Sequence, residues 1–313
     1  MRHIAITGIS GYVGTGLLKQ LSAHPEVETV VGVDTQPTMA ESSKLRFYLR
    51  DVTEPLDEIM IRERIDTAIH LAFVMNPNRN DMHTRRVNVQ GSRRFISACR
   101  EAGVGHLLYF SSTAAYGAHP DNPVPLKEES PLRPNAGFQY SRDKASTDHL
   151  FQEYAVSNPD IAVTILRGAP VLGPRGMQAV GAKVFQRVMV QVNGLDPAVQ
   201  FMHEEDLMDV LMLTLEKKAG GVYNVAGDGL IRYSDVARMA RRPLMPMPKG
   251  VLSGLMNVTW ALRIQSHSAS AGLNFIAYPW VGSNKKLKRD TGFEYRYSAE
   301  DTVNQYLRAI GRR

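Results

Sequence analysis

Short apolar runs punctuate the first 170 residues at regular intervals. "HIAIT" (3–7), "TVVGVD" (29–34), "LRFYLRD" (45–51), "TAIHLA" (67–72), "HLLYFSS" (106–112) and "AVTILRG" (162–168) are rich in β-branched or aromatic residues, and most do not alternate with polar ones. Strands of that kind are buried on both faces, as in a parallel sheet. Between them, apolar positions recur with helical spacing over 12–22, 55–64, 82–102 and 139–156. Repeated strand–helix units predict an α/β fold with a doubly wound parallel sheet. After Gly173 the rhythm breaks. "GPRGMQAVG" reads as a loop, 183–192 as a helix, and "GGVYNVAG" (220–227) as a strand leading to a helix that starts near Ser234. "RRPLMPMPKG" (241–250) reads as a Pro-rich connection. The expected organisation is a sheet domain over 1–170 and a smaller lobe over 171–313, with some of its segments returning to the sheet.

The first strand runs into "TGISGYVGTGLL", which sets Gly8, Gly11 and Gly14 at a strand-to-helix turn. Gly8 allows the tight turn, Gly11 lets the backbone approach a pyrophosphate, and Gly14 lets the helix pack closely on the strand. The first turn of the helix, with Tyr12 and Val13, then offers free N–H groups and a positive dipole end to the phosphates. An ordinary tight turn is the plainer alternative. The triplet, however, sits at the first strand, first turn and first helix, where dinucleotide binding requires it. Asp34 ends the second strand, twenty residues past Gly14. A carboxylate there accepts hydrogen bonds from the adenosine ribose hydroxyls and repels a 2′-phosphate, so NAD is favoured over NADP. Asp51, followed by Val52, could cap the adenine amino group and could equally be a turn residue.

Composition and charge narrow the function classes. Of the 313 residues, 43% are hydrophobic and 22% charged, an ordinary globular balance. Cys99 is the only cysteine, so no disulfide framework or cysteine-rich metal site is expected, and a reducing, cytoplasmic setting fits. No His/Asp/Glu group has metal-ligand spacing on one element; "HEED" (203–206) reads as a strand-to-helix turn. The N-terminus enters a strand pattern at once, which argues against a signal peptide. No apolar run approaches the ~18 residues of a spanning helix. "VLSGLMNVTWAL" (251–262) is too short and is interrupted by Ser, Asn and Thr. The net charge of +6 is scattered in Arg93-Arg94, Arg241-Arg242, "NKKLKR" (284–289) and Arg312-Arg313, without the interleaved aromatics of a nucleic-acid binder. Neither nucleic acid nor membrane is expected as a partner. Methionines at 202, 208, 212, 239, 245 and 247 either fill core gaps or line an adaptable apolar pocket.

"YSRDK" places Tyr140 and Lys144 one helical turn apart, on one face. That spacing is common on helices and gains meaning only beside a cofactor. With "TGISGYVG", Asp34, Asp51-Val52, "HLAF" (70–73), "NVQG" (88–91), "FSSTAAYG" (110–117), "LRGAPVLGP" (166–174), "FMHEEDL" (201–207) and "GVYNVAGDG" (221–229), the chain resembles the extended short-chain dehydrogenase/reductase superfamily over nearly its whole length. Within it, the resemblance is to the NAD-dependent epimerase/dehydratase branch. It implies a Rossmann-type sheet, NAD, and a small-molecule substrate with a secondary alcohol, a sugar or nucleotide sugar being favoured. The alternative is net dehydrogenation or reduction of a more apolar alcohol, as in hydroxysteroid-dehydrogenase-like relatives. A binding protein that has lost catalysis is a third reading, which the intact triad opposes.

By that resemblance Ser112 is the catalytic hydroxyl, with Thr113 as fallback and a candidate substrate contact, and Ser111 lines the cofactor side. Leu71, Ala72 and Asn88 neighbour the cofactor, and Pro170 and Val171 approach the nicotinamide. Tyr140 exchanges a proton with the substrate oxygen; Lys144 lowers the phenol pKa and binds the nicotinamide ribose. The acid pair that eliminates water in 4,6-dehydratases is replaced by Thr113 and Ala114, which disfavours that reaction. The usual pyrophosphate-contacting asparagine is replaced by Pro170. Arg167, Arg175 and Arg187 are possible substitutes for the missing phosphate anchors, and Arg175 is carried as a candidate substrate residue. Lys183 reads instead as an exposed charge. His70 and His203 read as packed, and Glu128-Glu129 as solvated. Helices 82–102 and 139–156 resemble those that pair subunits in this superfamily, so a homodimer is expected.

Overall fold

The structure, a computed structural model, describes residues 1–75, 81–174, 185–263 and 270–311. The first half lays down β1 (His3–Thr7), α1 (Tyr12–Ala23), β2 (Thr29–Asp34), β3 (Leu45–Leu49), α2 (Asp57–Arg62) and β4 (Thr67–His70). There follow α3 (Asp81–Arg85), a π-helical turn (Arg86–Gln90), α4 (Gly91–Glu101), β5 (His106–Ser112), a 3₁₀ turn (Thr113–Tyr116), α5 (Gln139–Ser157) and β6 (Ala162–Gly168). Later come the short strands β7 (Val171–Leu172), β8 (Met189–Val192), β9 (Ala198–Val199) and β10 (Met202–His203), then β11 (Gly221–Val225), β12 (Ile231–Arg232) and β13 (Leu244–Met247).

Seven strands form one parallel sheet in the order β11-β6-β5-β4-β1-β2-β3. This is the Rossmann-type, doubly wound α/β architecture. Its cause is visible in β1, where successive side chains point to opposite faces. Ile4 and Ile6 join Leu17, Leu18 and Leu21 of α1 and Leu207, Val210 and Leu211 of helix Glu204–Glu216. Ala5 faces the other side, with Val31, Val33, Phe95 and Phe151. Both faces are apolar, so both must be covered by helices. Strand order reverses between β1 and β4, and a crevice at the carboxyl ends of such strands is where ligands bind.

The later segments divide their allegiance. β11 and helix Glu204–Glu216 belong to the sheet and its core, whereas helices Tyr233–Met239 and Ala299–Ala309 pack around a separate cluster with Phe185, Phe201 and Leu172. Two expectations fail in this region. No helix forms over the described part of 183–192; instead Met189–Val192 is β8, paired in parallel with β13. Its valines at 188, 190 and 192 favour a strand, and the spacing of apolar residues was misread as helical. β13 in turn lies inside the stretch read as a connection; as an edge strand it tolerates Pro246. The expected helix over 82–102 is divided by the π-helical turn. The loop read in "GPRGMQAVG" lies almost wholly outside the described residues, as do Arg175 and Lys183. Met202, Met208 and Met212 sit in the main core, which decides for gap filling over a pocket wall at those three positions.

Candidate active site

The glycine turn is shaped by contacts that a side chain would destroy. Gly8 adopts φ +75°, and a Cβ there would lie 2.6 Å from the Ala72 backbone nitrogen. At Gly14 a Cβ would come within 2.5 Å of Gly8 O and 2.6 Å of Ile9 Cα. At Gly11 it would meet only Gly8 O, at 3.2 Å, so this backbone is open to an approaching group. Gly11 starts α1 without a side-chain cap, and no acid stands in the first turn. The amide groups of that turn have no helical acceptor, and an anion is their natural partner. The cradle therefore fits a pyrophosphate. Val13 packs on the core, while the Tyr12 hydroxyl donates to Glu204 on the helix over Glu204–Glu216.

Asp34 closes the adjacent loop. Its Oδ2 accepts the Ser10 N–H at 3.0 Å and its Oδ1 the Gln36 N–H at 3.1 Å. The remaining lone pairs of a carboxylate so placed suit ribose hydroxyls. Asp51 takes the turn role: Oδ1 accepts the Thr53 N–H at 2.8 Å. Val52 is buried against Gly91. Leu71 donates its N–H to Thr7 O at 3.0 Å, which sets the end of β4, including Ala72, against the glycine turn. Asn88 lies in the π-helical turn, a distortion frequent at functional sites. Its amide accepts from Val74 N at 2.8 Å and donates to Val74 O and to the buried Asp143. It thus fixes the backbone just past Ala72. Pro170 O accepts from Met202 N at 2.9 Å, and Val171 pairs with Met202 across β7 and β10.

β5 and α5 bring the catalytic candidates together. Ser112 caps the 3₁₀ turn, its Oγ accepting the Ala114 N–H at 3.1 Å. The Ser112 hydroxyl also acts on the Tyr140 phenol, lowering its pKa against the effect of burial. One turn along, Lys144 Nζ donates to Phe110 O at 2.8 Å and stands 3.8 Å from the Phe73 ring centroid. The Phe73 ring meets that of Tyr140 edge-on at 5.6 Å. Thr113 is buried, its hydroxyl 3.4 Å from Gly168 O, away from any open surface.

Burial raises the Tyr140 pKa, and the Ser112 hydroxyl opposes it. Lys144 meets Phe110 O and the rings of Phe73 and Tyr109. Burial in turn lowers Lys144 from 10.5 to about 7, with Asp148 acting in the opposite sense.

Behind the triad lies a polar network that the sequence reading missed. Arg167 is buried, and its Nε and Nη2 donate to the two oxygens of Asp148 at 2.9 and 2.8 Å. Its Nη1 donates to the Tyr116 hydroxyl at 2.8 Å and to Glu128 O at 2.9 Å. Arg167 is therefore no substrate anchor. Ser111 donates to Asp148 at 2.7 Å, on the opposite side of β5 from Ser112, so its hydroxyl braces α5. Glu128 is not solvated: its carboxylate accepts the Asn224 N–H at 2.9 Å, and burial raises its pKa. Glu129 and Arg187 are exposed. The signal for the network was a charged residue inside an otherwise apolar strand, "AVTILRG", which demands a buried partner. His70 is packed as expected, between Thr7 at 2.7 Å and Ser92 at 2.8 Å, and burial lowers its pKa to about 3. His203 caps the next helix through Glu205 N.

The depressed lysine has a measurable consequence. Between about pH 7 and 10.5 the unfolded chain holds a proton at Lys144 that the native state does not, so this group makes stability rise with pH across that window. Below pH 7 both states are charged and the full burial penalty applies. Lys144→Met removes the penalty. The variant should therefore gain more in Tm over the parent at about pH 6 than at about pH 10. An equal difference at both pH values in thermal melts would show that the ammonium is not penalised.

The surroundings of the site match known proteins along the chain. The NAD dependent epimerase/dehydratase family profile matches residues 4–226. An uncharacterized protein of Mycobacterium tuberculosis, Rv0501, is 24% identical over 98% of this chain and 84% of its own length. The Bordetella bronchiseptica enzyme WbmG, solved with NAD and UDP, superposes with a TM-score of 0.75 at 20% identity, covering 99% of this chain and 94% of that one. The UDP-glucose 4-epimerase of Thermotoga maritima, solved with UDP-glucose, gives 0.74 at 18% identity over 98% of each chain. At such identities the superpositions establish the fold. Among the described residues no helix is long and apolar enough to cross a membrane, and no group of three or more His, Cys, Asp or Glu could hold a metal ion. The match over most of the chain, together with the glycine cradle and the β5–α5 pairing, places this protein in the NAD dependent epimerase/dehydratase family.

Proposed function

We propose that the chain is an epimerase that uses NAD to oxidise and re-reduce a secondary alcohol of a sugar, nucleotide-linked as in the UDP-glucose complex of the Thermotoga enzyme. The observation that carries this reading is the grouping of Ser112, Tyr140 and Lys144 on the strand and helix next to the glycine cradle. Bound NAD would supply the hydride acceptor and donor. In this reading the pyrophosphate lies on Gly11, Tyr12 and Val13, the adenosine ribose on Asp34, and the substrate faces Tyr140, with residues beyond 171 forming its outer wall.

The chain's own groups handle the proton. The raised Tyr140 pKa keeps the phenol protonated, ready to donate to a carbonyl oxygen. Ser112 has one lone pair engaged by Ala114, and its hydroxyl favours the phenolate that remains. The oxidising half needs the phenolate form of Tyr140, the minor form given its raised pKa, which accepts the alcohol proton and so becomes the phenol that donates in the reducing half. Lys144, its pKa lowered by burial to about 7, adds its stabilising charge only when protonated. Elimination of water needs an acid–base pair beside Ser112. Thr113 is buried against Gly168 O and Ala114 has no polar group, which supports epimerisation over dehydration.

Two subunits paired through α4 and α5 complete the reading; a mass of one chain by light scattering at micromolar concentration would remove that part. Tyr140→Phe should lower turnover at least ~100-fold, the usual scale of a lost acid–base group, with NAD affinity nearly unchanged. Wild-type turnover in that variant would sink the proton-transfer assignment. An epimerase regenerates its cofactor in each cycle, so the purified protein should carry NAD through isolation. Protein isolated bare that accumulates NADH stoichiometric with product would instead indicate a net dehydrogenase.

A further inference from the structure

Helix Lys249–Ala261 and the residue after it turn an apolar stripe to solvent. Val251, Leu255, Val258 and Leu262 recur at i, i+4, i+7 and i+11, which is one face of a helix, and they are 54–65% exposed. Gly250, Gly254, Asn257 and Ala261 complete that exposed surface, so no charge interrupts it. The other side does the packing, with Leu252 buried against Val192, Leu273 and Ala277. Scattered exposed apolar residues are ordinary, but a continuous uncharged stripe marks a contact surface.

The charge along this part of the chain says what kind. From Val236 to Arg289 the chain contains no Asp or Glu, yet it holds nine cations: Arg238, Arg241, Arg242, Lys249, Arg263, Lys285, Lys286, Lys288 and Arg289. The whole chain has 37 Lys/Arg against 31 Asp/Glu, so the remaining residues carry 28 cations against all 31 acids. The net positive charge therefore resides in this stretch. Arg238, Lys288 and Arg289 are paired with Asp235, Asp228 and Asp290. Lys249 and Arg263, which bracket the helix, and Arg241 ahead of it are exposed and form no ion pair among the described residues. Lys249 Nζ donates to Asn274 Oδ1 and to the Tyr278 hydroxyl and lies over the Tyr278 ring.

We propose that this face lies on a lipid bilayer with anionic head groups. The stripe enters the acyl boundary, while Lys249 and Arg263 stay at head-group level by extending their stems along it. Thirteen residues make a helix about 20 Å long, too short to span and suited to lying in the plane. A second copy of the chain fits less well. It would bring like-charged helix ends together with no local acid to face them. The expectation of no membrane partner rested on the lack of a spanning run, which a surface-lying helix does not need. The proposal stands independently of the reaction catalysed.

The test is co-sedimentation of the full chain with phosphatidylcholine vesicles, with and without phosphatidylglycerol. The chain should pellet with the anionic vesicles, and Leu255→Asp with Val258→Asp should weaken binding about tenfold or more while the thermal melt is preserved. A second variant, Lys249→Glu with Arg263→Glu, leaves the stripe intact and should lose the preference for phosphatidylglycerol. The proposal is overturned if the parent stays in the supernatant, if both variants pellet like the parent, or if the apolar variant instead abolishes self-association of the parent.

Discussion

A buried ion pair holds the elements of the candidate site in register. Arg167 and Asp148 are both withdrawn from water, which is costly for each charge alone. The geometry offsets this: two parallel bonds join them, and Tyr116 and the Glu128 carbonyl satisfy another guanidinium nitrogen. Burial by itself would lower the Arg167 pKa, but the bonds to Asp148 and Tyr116 carry it upward. Removing either partner of such a pair costs about 3–5 kcal/mol, because the other charge is left uncompensated. Asp148 shares α5 with Tyr140 and Lys144, Tyr116 ends the turn that Ser112 begins, and Arg167 sits on β6 beside β5. One guanidinium thus ties the serine turn to the tyrosine helix from below. Asn224 extends the brace to β11 through its bond with the Tyr116 hydroxyl.

The sheet was readable because most of its strands obey one rule, the edge strand β3 being the exception. A strand covered on both faces is apolar throughout, and the glycine turn marks the first of them. The site was readable in outline for a similar reason, since Ser112, Tyr140 and Lys144 lie on elements whose ends the pattern located. What escaped depends on the third dimension. Nothing local in "VMVQV" says that a parallel partner will arrive from 244–247. The sequence neighbours of Glu128 suggest solvent, whereas Asn224, far along the chain, removes it from solvent. The protonation states escaped too. A lysine four residues from a tyrosine implies an acidified phenol, but the carbonyl of Phe110 and the ring of Phe73 compete for the same ammonium.

Rigidity and charge are distributed unevenly over the molecule. The elements bearing the triad are buried and multiply bonded, and the acids concentrate in that larger part. The later segments build small two-stranded ribbons and an uncharged helical face edged by cations. The buried polar bracing and the exposed uncharged helical face therefore lie in different parts of the sequence.

Asp34 couples coenzyme choice to local order. Its two oxygens fasten Ser10, inside the glycine turn, to Gln36, in the following loop. Exchanging this carboxylate for a neutral side chain with a single acceptor oxygen would leave one of these two amides unpaired and loosen the glycine turn or the loop after it. Retuning selectivity here would therefore call for a second change that supplies the missing acceptor.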